Sequence, residues 1–256
     1  MRHALAVLIA AFLAATTATQ AREVRVMSAG ATAPAYVQLV PAFEAKTKQK
    51  AVTLATSTGV GTANIVTRLR GGEPVDVVFI AANTMDDLAK EGLVVAASRV
   101  DIARSSIGVG VRAGAKKPDI SSADALKQTL LNARSIAISA QISGQYLTNE
   151  LLPQMGIAAQ VMPKIKRIET EPVGNVVARG EAEIGIQQIS ELSAVKGIDL
   201  VGPFPAAVQR VSTFSVAIAS QSKNRAGAQA LIDFVTSPEG FTVLRQSGLD
   251  PIPTRQ

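Results

Sequence analysis

Three stretches of small polar residues hold the groups of this 256-residue chain best suited to chemistry. Ser28 to Thr32, Thr56 to Thr62 and Gln141 to Tyr146 each follow an apolar run and lead into a helical pattern. A fourth helix start follows Glu171-Pro172. Free backbone N–H groups and short hydroxyls at a helix N-terminus are donors that suit an anion. One such loop is ordinary capping. Recurrence at successive strand ends is more, because ligands of open α/β sheets lie at the carboxyl ends of strands. Four such loops predict one cleft and a small anionic ligand.

The composition excludes much else. There is no Cys, and His3 is the only His. Disulfide scaffolds, thiolate metal sites, His metal clusters and Ser-His-Asp chemistry are therefore ruled out, and no metal is expected. Gly59-Val60-Gly61 lacks the third glycine of a dinucleotide fingerprint, and no GxxxxGK[ST] occurs, so no nucleotide cofactor is expected. The formal charge is +6, but the basic residues are dispersed and no aromatics interleave with them. That argues against nucleic acid as a partner. Trp is absent, so the flat platforms of a sugar site are missing. With 47% hydrophobic and 18% charged residues, the chain can bury one or two cores.

The elements that would position these loops follow an α/β rhythm. Met1-Arg2-His3, the apolar run Ala4 to Ala15 and the small residues Thr19-Gln20-Ala21 read as a signal peptide, residues 1–21, cut after Ala21. Twelve apolar residues are too few to cross roughly 30 Å of hydrocarbon. The expected location is the periplasm. Strands are predicted at Val24 to Met27, Ala51 to Ala55, Val75 to Ala81, Ser106 to Arg112, Ser135 to Ser139, Ile184 to Ile186 and Val211 to Ala219. Val161 to Ile168 reads as extended, and Ile184-Gly185-Ile186 as running on through Gln187-Gln188-Ile189-Ser190. The last two helices, Ala226 to Val235 and the one from Pro238, have no strands of their own and must pack on an earlier sheet. That predicts a discontinuous first lobe, residues 22–104 plus 212–256, around a second lobe, residues 105–211. The chain would cross between lobes near Arg104 and Val211.

In this order, the SAGAT-type loop, PAFE, the STG loop, GGEPVDVVFIA, SGQYL, EPVGNVVARGEAEIGIQQISEL and SPEGFTVLRQSGLDPIP resemble extracellular solute-binding proteins of the molybdate-binding type. The resemblance covers essentially the whole chain after residue 21. It implies an α/β, two-lobed type II periplasmic binding protein fold with a ligand cleft between lobes. It also implies a monomer that delivers its anion to an ABC-type membrane transporter. Carried over residue by residue, the first-loop Ser falls on Ala31, with Ser28 and Thr32 beside it. The second-loop Ser corresponds to Ser57, Thr58 or Thr62. The third-loop contact falls on Ser143, the backbone contact of the fourth helix on Val173, and the closing Tyr on Gln188. The loss of that Ser and Tyr argues against molybdate itself, and the longer second loop with the pair Gln187-Gln188 points to a larger ligand with more acceptors.

KPDISSADALKQTL, SGQYL, EPVGNVVARGEAEIGIQQISEL and GIDLVG are similar to the branch that includes periplasmic aconitate isomerase, which implies a di- or tricarboxylate ligand and, as the alternative to transport, catalysis of a cis/trans proton shift. A proton shift needs a base. Without His the candidates are carboxylates, Lys or Tyr146, and of the carboxylates Glu171 lies beside the predicted cleft. A helix N-terminal acid is the plainer explanation of Glu171. The missing His favours a carrier over a catalyst.

Overall fold

The computed structural model describes residues 23–54 and 64–253. The expected signal peptide and the second-loop candidates Ser57, Thr58 and Thr62 lie outside the described residues.

The strands are β1 (Glu23–Ser28), β2 (Lys50–Leu54), β3 (Val77–Ala81), β4 (Val100–Arg112), β5 (Ile136–Ser139), β6 (Ile165–Ile168), β7 (Ile184–Gln188), β8 (Ile198–Pro203), β9 (Val211–Ile218) and β10 (Asp250–Pro251). The sheet order is β2-β1-β3-β9-β4-β7-β5-β6, with β8 and β10 also paired to β4. β1 lies parallel to β2 and β3, and β5 parallel to β6 and β7. Such strands are covered on both faces, and VVFIA and IAIS accordingly lack polar alternation.

Two lobes share one strand. β4 pairs with β9 over Val100–Ser106 and with β7 over Ile107–Val111. Each lobe has its own core. Val24, Phe43, Phe79, Ile102 and Val216 pack in one with Leu231, Ile232, Phe234 and Leu244 of the helices Arg225–Val235 and Pro238–Gln246. Ile107, Leu126, Leu130, Ile138, Leu151 and Ile186 pack in the other.

Two stretches differ from the sequence reading. Ala158–Val161 is a helical turn followed by Met162–Lys164, so only Ile165–Ile168 of the supposed extended run is strand. After β7 the chain turns at once into a short helix, Ile189–Ser193. Five residues are too few to show a helical period.

A buried carboxylate ties the first lobe together. Asp76 accepts from the N–H groups of Arg25 (2.8 Å), Lys223 (3.0 Å) and Asn224 (3.0 Å) and from Ser222 Oγ (2.6 Å). These bonds join β1 to the start of the helix Arg225–Val235, which lies more than a hundred residues away in sequence. Asp76→Ala would strand several donors that point at one place. It should cost about 3 kcal/mol or more of unfolding free energy, read from the urea midpoint at unchanged slope.

Candidate functional site

Among the described residues, five helices begin around one cavity between the lobes: Ala33–Thr47, Ile65–Arg70, Ala82–Lys90, Ile142–Tyr146 and Ile189–Ser193. The cavity holds about 200 Å³ and is lined by Ala29, Gly30 and Ala31, by Asn64, Ile65 and Val66, by Ile80, Ala81 and Thr84, by Gln141, Ile142 and Ser143, and by Gln188, Glu191 and Phe214. Each helix turns its N-terminal, positive end towards it. No Lys or Arg is among these lining residues. Residues 55–63 carry no charge in their sequence either.

The local chain explains the geometry. In the first loop, Ala29 N–H donates to Phe79 O of β3, and Ala29 O then accepts from Thr32 and Ala33. That leaves the N–H groups of Gly30 and Ala31 without an acceptor among the described residues. In the third loop, Gln141 N–H donates to Ser139 Oγ at 3.0 Å. A Cβ on Gly144 would sit 1.8 Å from Ser139 O, so only glycine lets this helix start so close to the end of β5. Ser143 faces the cavity with a hydroxyl that has no protein partner among the described residues.

The sequence-derived residues divide. Ala31 and Ser143 line the cavity. The hydroxyls of Ser28 and Thr32 bond each other at 2.9 Å, and Thr32 also donates to Ala29 O. Ser28 lines a second, outer cavity instead, and Thr32 lines neither. Gln188 reaches the inner cavity, but its amide lies against Ser105, Ser106 and Ser212 where β4 and β9 cross between the lobes. With the amide in the orientation that satisfies both ends, it donates to Ser105 and Ser106 and accepts from Ser212. Gln188 thus serves the crossing strands. The Val173 N–H is likewise committed, to Gln187 Oε1 at 3.0 Å.

Neither base candidate lines the inner cavity. Tyr146 belongs to the core of the second lobe, where its O–H donates to Val208 O at 2.9 Å, and burial pushes its pKa up. Glu171 forms a two-pronged pair with Arg179 at 2.7 and 2.9 Å, which holds its carboxyl below the usual range. A carboxylate so stabilised is a poor base.

The residue that sequence reasoning missed is Glu191. It sits on the short helix Ile189–Ser193 and lines both the inner cavity and the outer one of about 660 Å³. Its Oε1 accepts from Gln187 Nε2 at 2.9 Å. Burial, with no cationic partner among the described residues, pushes its pKa up to about 8, against the smaller opposing effect of that bond. Desolvation thus outweighs both the hydrogen bond and the favourable helix end. A carboxyl that titrates near neutrality can hold a proton, take one or return one. The available signal was the acid three residues after Gln188, directly after a segment read as strand.

Two further contacts join the lobes at this cavity. Ser190 Oγ donates to Ala31 O at 2.8 Å. Ile142 packs against Ala31, Ala81 and Phe214.

The raised pKa sets a stability trend. Folding favours protonated Glu191, so this group costs nothing below about pH 4.5 and progressively destabilises the fold as pH rises to about 8. Glu191→Gln should therefore stabilise the unliganded protein at pH 9 by about 3 kcal/mol while changing little at pH 4.5. The full linkage value would be larger, but the cleft partly wets the carboxyl. Urea unfolding at both pH values checks this, and an equal effect at both would refute a raised pKa.

The sequence profile described as bacterial extracellular solute-binding protein matches residues 24–250. The aconitate isomerase of a Pseudomonas species is 42% identical over 231 residues, 90% of this chain and 88% of that protein. The molybdate-binding protein ModA of Azotobacter vinelandii is 28% identical over 244 residues, 90% of this chain and 91% of that one. The solved periplasmic molybdate-binding protein of Azotobacter vinelandii superposes with a TM-score of 0.73 at 20% identity, covering 90% of this chain and 100% of that one. A two-lobed fold, a cleft at helix N-termini and a match over nearly the whole described chain together make this protein a member of the bacterial extracellular solute-binding proteins.

Proposed function

We propose that the cleft captures a small polycarboxylate anion and that Glu191 moves a proton within it, converting cis- to trans-aconitate. The observation that carries this reading is a carboxyl poised near pH 8 at the mouths of five helices. The 42% identity to an aconitate isomerase supports it. In its ionised form, Glu191 removes a proton from the methylene carbon beside the double bond. The electron pair of that C–H bond moves into the allylic system, and the double bond shifts by one position. A proton then returns to the former vinyl carbon, so atoms balance without a co-reactant. Negative charge spreads onto the substrate's carboxyl oxygens during the step. The Ser143 hydroxyl and the N–H groups of Gly30 and Ala31 can take it up, and these donors are already oriented.

The second reading is a carrier that hands its anion to a membrane transporter after lobe closure. The neutral donor set and the interlobe bond from Ser190 to Ala31 favour it equally. In both readings the protein works in the periplasm, with residues 1–21 removed as a signal peptide.

Two measurements separate them. Protein incubated with cis-aconitate in D₂O and followed by proton NMR should give the trans isomer in proportion to protein. Glu191→Gln should abolish that turnover while retaining binding, and Glu171→Gln should leave it near wild type. Saturable binding without turnover or deuterium exchange would select the carrier. Ser143→Ala should weaken ligand binding by roughly 1–3 kcal/mol in either case, measured by calorimetry.

A further inference from the structure

Gln187 stands behind Glu191 and is itself 1% exposed. Its side chain spans two partners. Oε1 accepts from the Val173 N–H at 3.0 Å, and Nε2 donates to Glu191 Oε1 at 2.9 Å. The two ends of an amide are often interchangeable, but not here. A backbone N–H can only donate, so the end facing Val173 must be oxygen and the end facing Glu191 must be NH₂. The backbone maintains this arrangement. Gly185 of β7 lets the helix Val173–Ala178 settle on the strand, where a Cβ would meet Val177 at 2.8 Å and Val173 at 2.9 Å. That contact brings the first N–H of the helix to Gln187, two residues along β7.

We propose that Gln187 is a positioning residue for Glu191: it occupies one carboxyl oxygen with a fixed donor, so that the proton is carried on the other oxygen, towards the ligand. This rests on Glu191 being the proton-handling group of the cleft. The consequence is a division of labour between two chemically equivalent atoms. Oε1 stays an acceptor in both protonation states, and Oε2 alone exchanges the proton. The donor also favours the ionised form, opposing the effect of burial. The charged groups lining the outer cavity are Glu171, already paired with Arg179, and Lys196 beyond the helix that carries Glu191. From the helix Ala33–Thr47 the outer cavity receives Gln38 and no charge, and the described lining of the inner cavity adds no other charge.

The test reads Glu191 directly. Protein labelled with ¹³C at the Glu carboxyl is titrated by NMR, and Glu191→Gln assigns the signal. In wild type the signal should titrate near pH 8. Gln187→Met, similar in size but without the donor, should move the midpoint up by about one pH unit. Gln187→Glu keeps an acceptor for the Val173 N–H and so preserves the fold, but the facing carboxyls must then share a proton to still higher pH. If the Met variant does not fold, this one still shows whether the side chain at 187 is coupled to the Glu191 proton. With cis-aconitate, kcat of Gln187→Met should fall about tenfold at pH 7 and approach wild type above pH 9, with KM changed less than about threefold. A purely structural role would lower activity equally at every pH. A Glu191 midpoint unmoved in the folded variants overturns the proposal, whether or not turnover exists. A moved midpoint in a protein that turns over no tricarboxylate upholds the positioning role and removes the isomerase reading alone.

Discussion

A cleft that collects helix N-termini, with no lysine or arginine among the described residues lining its inner cavity, imposes the condition on which the rest of this molecule depends. Each N-terminus contributes roughly half a positive charge, from N–H groups that the helix itself cannot satisfy. Five of them around one small cavity make a field that favours an anion without a cationic side chain. Such a site differs from an arginine clamp. Its donors are attached to backbone held by β1, β3, β5 and β7, so little ordering entropy is lost when a ligand arrives. It also has no counter-charge to offer a carboxylate of the protein's own. Burial therefore outweighs the favourable field at Glu191, which ionises less easily than Glu171 does beside Arg179.

The field exists only when the two lobes meet, and the strand shared between them makes that meeting reproducible. β4 belongs to both sheets, and the Ser106–Ile107 step separates its two sets of partners. Ser105, Ser212 and Gln188 are buried there and bonded to one another, so the crossing is polar but satisfied. An apolar crossing would hold the lobes together by burial that is indifferent to direction. A hydrogen-bonded one specifies an angle. On the ligand side, Ser190 and Ile142 make the complementary contacts, one polar and one apolar. Cleft geometry is thus fixed from both ends of a short lever.

The architecture was legible because it depends on patterns that repeat. Apolar β-branched runs followed by small polar loops mark the strand ends, and the absence of His and Cys narrows the chemistry before any fold is drawn. Ser143 and Ala31 were legible for the same reason, since they occupy loops of a recurring kind. The rest failed where function depends on partners distant in sequence. Nothing near Glu171 distinguishes a base from a paired acid except Arg179, at the far end of the helix that Glu171 precedes. Nothing near Gln188 announces that Ser105 and Ser212 will engage its amide. Glu191 was hidden by local ambiguity as well: IQQIS continues a strand as readily as it begins a helix, and only tertiary packing decides.

Glu191 is costly to a protein that only carries its ligand. A protein selected only to hold an anion would gain from any neutral donor at that position, because an ionised carboxylate repels the ligand and a neutral one must first acquire a proton. Glutamine has nearly the same shape and none of that penalty. An acid kept in the field of five helix ends, desolvated and oriented by Gln187, is therefore a liability for capture. It becomes useful when the bound molecule must lose and regain a proton. Then a pKa close to the working pH is the property that makes transfer in both directions fast. The same field that favours the anion stabilises the charge that develops when its C–H bond opens. On this view one arrangement of helix ends serves both capture and chemistry, and a single side chain decides whether the cleft does the second.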